Sequence, residues 1–147
     1  MTLEDLINLL NEDLSKEYAH WSFYIQAATR VTGLNREELS EFLLKEAAGE
    51  MKHIEEFKRL IIGLGGNPTT HVGPYNSDAC TPSIILAEAL KMEDEVVERY
   101  VYRIDDAIEL QGNGGKDKVN GKYIELFLEE QILDSRADAD HIREMLK

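Results

Sequence analysis

At 147 residues, 43% of them apolar, the chain has the length of one domain with enough apolar side chains to bury a core, so residues 1–147 read as a single domain. Acidic residues outnumber basic ones 29 to 16, a net charge of −13 that argues against direct nucleic-acid binding or an anionic membrane surface, both of which need clustered Lys and Arg; cations are the more natural partner. Cys80 is alone, which excludes an internal disulfide framework and a cysteine zinc site, and an acidic start with no apolar run of about 20 residues gives neither a signal peptide nor a membrane span, so a cytoplasmic protein is expected.

Apolar residues at helical spacing predict a first helix over about residues 3–31, whose stripe of Leu3, Leu6, Leu10, Trp21, Tyr24 and Ala28 also contains Glu17. A short turn at Thr32-Gly33-Leu34-Asn35 leads to a second stripe of Leu39, Leu43, Ala47, Ile54, Phe57, Ile61 and Leu64, with Glu50 inside it and a Gly65-Gly66-Asn67-Pro68 stop. After a linker from about Gly66 to Pro82, a third helix starts near Ser83. It carries Leu86, Ala89, Leu90, Val96, Val97, Tyr100, Ile104 and Ile108, with Glu93 on the same face, and breaks at Gly112-Asn113-Gly114-Gly115. The fourth, from about Val119, is less regular: Phe127, Asp138, Ile142 and Met145 share a face with Gln131 and Asp134.

No segment alternates with period two, so the class is all-α and the architecture a four-helix bundle. The two short turns make two antiparallel hairpins, whereas the middle connection of some 17 residues is long for antiparallel neighbours and predicts a crossover. With Glu50 and Glu93 level, that crossover must span roughly 36 Å, within the roughly 56–60 Å an extended linker of this length can reach.

Carboxylates on apolar faces are costly unless neutralised, paired or metal-bound. Glu50 and His53 form Glu-x-x-His, and Asp138 and His141 form Asp-x-x-His, each pair lying on one helix face about a turn apart; Glu17 and Glu93 stand alone on the partner helices. One carboxylate from each of two helices and a carboxylate–histidine pair from each of the others is the inventory of a di-iron or di-manganese bundle site. The midpoint of residues 17 and 50 falls in the Gly33-Leu34 turn and that of 93 and 138 beside Gly115, so each hairpin places its ligands level. Four carboxylates facing two Fe(II) ions form a neutral cluster.

At these residues the sequence resembles the ferritin-like superfamily, most closely bacterioferritin and the Dps-like mini-ferritins. Glu50-Met51-Lys52-His53 is similar to the bacterioferritin second-helix motif, Ala89-Leu90-Lys91-Met92-Glu93 to the third-helix ligand motif, and Glu17 followed by Tyr24 to the first-helix pattern. The resemblance implies Glu17 and His53 as terminal ligands of one iron, Glu93 and His141 of the other, and Glu50 and Asp138 as bridges. Asp138 stands where the family has Glu, so the second iron is expected to bind less tightly. The chain stops six residues past His141, with no fifth helix, which favours a 12-subunit cage over the alternative of 24.

Met51 matches the methionine through which bacterioferritin binds haem between two subunits, although a surface methionine is more often ordinary interface packing. Ala19-His20-Trp21 is similar to the first-helix His-Trp of mini-ferritins, whose iron site lies between subunits. The further acids that site needs are replaced here by Ala47 and Met51, so His20 and Trp21 read as core and interface packing. His71 and Cys80 read as loop residues, and Glu130 and Asp134 as a solvated face.

The expected function is ferroxidation: two Fe(II) ions per subunit, oxidised by O₂ or H₂O₂ and sequestered as ferric iron in a homo-oligomeric cage for storage or detoxification. The main alternative is a di-iron or di-manganese oxidase or catalase acting on a small substrate without storing iron. A non-enzymatic shell is the third reading.

Overall fold

A computed structural model describes all residues, 1–147, and contains four helices and no strand: α1 (Leu3–Arg30), α2 (Arg36–Gly63), α3 (Pro82–Gln111) and α4 (Gly115–Met145). Helix α1 opens with a capping box in which the Thr2 hydroxyl accepts from the Asp5 N–H at 3.1 Å and Asp5 Oδ2 accepts from the Thr2 N–H at 3.0 Å. Pro82 occupies the first turn of α3, where its missing N–H costs nothing. No helix is long and apolar enough to cross a membrane.

The segment between α2 and α3 is the expected crossover, and its hydrogen bonds trace its path along α1. Thr69 N–H donates to Asn11 Oδ1, Gly73 N–H to the Ser15 carbonyl, the Gln26 side chain to the Ser77 carbonyl, and Thr32 N–H to the Cys80 carbonyl. The linker therefore runs from the start of α1 to its end and delivers α3 parallel to α2. Two antiparallel hairpins, α1–α2 and α3–α4, result.

Helix α4 differs from expectation. It begins at Gly115, four residues before Val119, because Gly114 and Gly115 take positive φ (74° and 55°) and let the chain reverse at once into the helix. Its buried face is Ile124, Leu128, Gln131, Ser135, Ala139 and Ile142, rotated from the predicted one, with Asp138 at the edge and Asp134 and Met145 exposed. Small residues explain the rotation. A Cβ on Gly121 would lie 2.6 Å from the Ala107 carbonyl oxygen of α3, so the two backbones meet closely at a position without a side chain. On α3 the core likewise follows Ala107 and Leu110, leaving Ile108 exposed.

The core is two apolar clusters at opposite ends of the bundle. One includes Leu6, Leu10, Leu14, Ile54, Phe57, Val96, Tyr100, Ile124 and Leu128; the other includes Phe23, Tyr24, Leu43, Ala47, Ala89, Met92 and Ile142. Every helix crosses from one to the other, and the residues at the crossing are Glu17 and His20, Glu50 and His53, Glu93, and the 131–138 segment of α4. A polar layer is thus held at mid-height between two dry walls. Just outside it, the fully buried Asp13 is paired with Arg103 through two bonds of 2.8 and 3.1 Å and approached by Arg99 at 3.3 Å, tying α1 to α3.

Candidate metal centre

Glu17, Glu50, His53 and Glu93 are all buried in this layer, and unlike Asp13 the three carboxylates have no arginine or lysine partner. His53 Nδ1 lies 3.8 Å from Glu17 Oε2 and 3.5 Å from Glu50 Oε2, ion-pair distances too long for hydrogen bonds. Two donor sets converge, each with its ligating atoms within 4.8 Å of one another: Glu17, His20 and Glu50, and Glu50, Glu93 and Asp138. Glu50 belongs to both.

Buried polar atoms in native proteins nearly always have partners. Here Glu17 Oε2, His20 Nδ1, Glu50 Oε2, His53 Nδ1 and Glu93 Oε2 are all buried without one, and all five sit in this one layer. Hard carboxylate oxygens and imidazole nitrogens in this arrangement fit two transition-metal cations, which would use the free lone pairs together.

Without a cation, protons hold the layer together. Burial, reinforced by the charges of Glu17 and Glu93, pushes Glu50 well above the usual carboxylate range, and burial raises Glu93 to about 8. Burial also works against Glu17, but the facing His53 and Glu50 outweigh it and hold this carboxyl below its ordinary range. His53 is raised to about 9, the Glu17 carboxylate overcoming the cost of burying the charge. Burial lowers His20 to about 4, leaving it a neutral imidazole.

Two tyrosines brace the carboxylates reciprocally. The Tyr24 hydroxyl of α1 donates to Glu93 Oε1 of α3 at 2.9 Å, and the Tyr100 hydroxyl of α3 donates to Glu17 Oε1 of α1. Burial pushes both phenols far above their ordinary range, so they remain donors. Each tyrosine follows its own helix's glutamate by seven residues, a repeated spacing that marks the pair in the sequence.

Of the residues singled out from the sequence, the structure gathers Glu17, Glu50, His53, Glu93 and Asp138. His141 lies outside both donor sets, exposed, with its ring centroid 5.7 Å from that of Phe42. Met51 is exposed on α2, and His71 is exposed in the crossover. Three participants were not singled out as ligands. His20, read as packing, joins the first set; Asp134 Oδ2 lies 3.5 Å from His53 Nε2; and Glu46, one turn before Glu50, is raised to about 7 by burial and by Asp138.

A bundle with a carboxylate and histidine layer at mid-height is the architecture of the dinuclear carboxylate proteins. The family model of the ferritin-like domain matches residues 7–146, and the chain belongs to that family. Among solved structures it is similar to a ferritin-like diiron-carboxylate protein of Bacillus anthracis, at 28% identity and TM-score 0.84, with 99% of this chain and 97% of that one covered. BfrA of Mycobacterium tuberculosis (24% identity, TM-score 0.81, 97% and 83% covered) and Dps of Staphylococcus aureus (14%, 0.82, 99% and 97%) share the fold. A search of curated proteins finds no match.

Proposed function

We propose that the chain oxidises Fe(II) at a dinuclear site within each subunit and sequesters the ferric product in a homo-oligomer of the cytoplasm. The observation that carries this reading is the pair of donor sets sharing Glu50, with five partnerless buried atoms between the helices. Iron is the substrate. Two Fe(II) ions give up two electrons, either to O₂, which takes two protons and leaves as H₂O₂, or to H₂O₂, which takes two protons and leaves as two waters. Glu50 bridges, Glu17 and His53 hold one ion, Glu93 and Asp138 the other, and Tyr24 and Tyr100 fix the outer carboxylates. Haem is not required by this reading; were it bound, Met51 of two copies would hold it, and Met51→Leu would change its spectrum.

The alternative of an oxidase acting on an organic substrate needs an apolar pocket beside the metals, a requirement that a catalase consuming H₂O₂ does not share. The apolar cavity of about 290 Å³, with Leu39, Phe42, Leu86 and Met145 in its wall, lies at the end of the bundle instead. Beside the layer are a cavity of about 190 Å³ reaching His20 between Lys16, Lys91, Glu95 and Arg99, and one of about 280 Å³ at Glu56, Glu130, Gln131 and Asp134. Such polar surroundings favour small inorganic reactants. For assembly, exposed Val119, Tyr123, Leu126 and Leu133 recur along one side of α4, an apolar stripe that other copies would cover.

Aerobic addition of Fe(II) should give ferric absorbance much faster than in buffer, with many irons retained per chain by a particle of about 12 or 24 times 16.7 kDa. Retention of only two irons by a monomer or dimer would instead favour the oxidase reading. Asp138 has a short side chain at the edge of the bundle, so anaerobic titration should resolve two unequal affinities, brought closer together in Asp138→Glu. Equal tight binding in the native protein would contradict that.

A further inference from the structure

His20 follows Glu17 by three residues on α1, the spacing of Glu50 and His53 on α2, so both helices present a carboxylate and an imidazole one turn apart on one face. The residue is only 7% exposed, and its Nδ1 is buried without a hydrogen-bond partner. A ring nitrogen lies within 4.8 Å of carboxylate oxygens of both Glu17 and Glu50. The other half of the bundle has no equivalent. Counted from Glu93, the matching position on α3 is the apolar Val96, and the histidine of α4, His141, is exposed.

We propose that His20 is a metal ligand. The centre is then divided by donor type: Glu17, His20, Glu50 and His53 form a position with two nitrogens, and Glu50, Glu93 and Asp138 form one with oxygens only. This rests on the reading of the layer as a metal centre and adds a division of labour to it. Imidazole donors suit Zn(II), Co(II) and Fe(II), whereas an all-carboxylate position suits harder ions such as Mn(II) and Fe(III). The nitrogen-rich position therefore takes the first Zn(II) or Fe(II) ion, while the carboxylate position binds these ions more weakly and favours the harder ones.

The test is Zn(II) titration of the whole chain under non-oxidising conditions, with X-ray absorption at the zinc edge after one equivalent. Two imidazoles per zinc are expected in the native protein and one in His20→Gln, with the first affinity weakened at least about 100-fold, beyond the 10–100-fold loss typical of an outer-shell partner. One imidazole in the native protein, or a first affinity unchanged in His20→Gln, overturns the role of His20 and leaves the metal reading standing. Native protein that binds no zinc overturns both. If His20→Gln fails to fold, judged by circular dichroism without metal, the imidazole count in the native protein decides alone.

Discussion

Glu50→Ala should slow Fe(II) oxidation by at least about 100-fold and remove both tight metal sites together, the largest effect expected of any single change in the layer. The reason is geometric. Glu50 is the one residue common to both donor sets, so its loss leaves Glu17 with the histidines on one side and Glu93 with Asp138 on the other, and nothing to span them. Metal-free folding should suffer far less, because burial already pushes Glu50 well above the usual carboxylate range and no arginine or lysine pairs with it. Glu50→Gln keeps the side-chain volume and should fold at least as well as the native chain while losing the same activity. Oxidation at the native rate in either variant would mean that iron reacts elsewhere.

Without metal, the thermal midpoint should fall as pH rises from about 6 to 9, by on the order of 10 °C, and bound Zn(II) should cancel or reverse the fall. Glu93, at about 8 in the fold, Glu50, well above its ordinary value, and His53, at about 9, all bind protons more tightly folded than unfolded. Their contribution is fully present below their unfolded values and is lost as pH climbs through the folded ones. Glu17 is shifted the other way, so its contribution is lost only at acid pH and does not offset this slope. Metal ions need the same groups deprotonated, so binding tightens with pH and releases protons. Melting curves with a chelator and with zinc, at several pH values, decide the matter; a flat metal-free profile over that range would show that these groups titrate as ordinary exposed ones.

Much of this was legible in the sequence for a definite reason. Glu17, Glu50 and Glu93 interrupt apolar stripes, and such interruptions are visible to anyone counting helical turns. The spacing of each pair about its hairpin turn predicts their common height. Helix α4 was harder because its approach to α3 depends on Gly121, Ser135 and Ala139, small residues that leave no hydrophobic stripe. The rotation this allows leaves Asp138 at the edge and His141 exposed. His20 reads as packing from the sequence because the acids an inter-subunit site needs are replaced by Ala47 and Met51, and its partnerless nitrogen exists only in three dimensions. The pairing of Asp13 with Arg103 joins residues 90 positions apart, with no local signal to announce it.

Anaerobic calorimetric titration of the metal-free chain with Fe(II) near pH 7 decides whether this layer is a dinuclear metal centre. Two ions per chain are predicted, in two unequal steps, with about three protons released as Glu50, Glu93 and His53 give theirs up. Varying the ionisation heat of the buffer counts those protons independently of the binding heat. Fewer than one ion per chain, or a titration left unchanged by Glu50→Ala, would contradict the account.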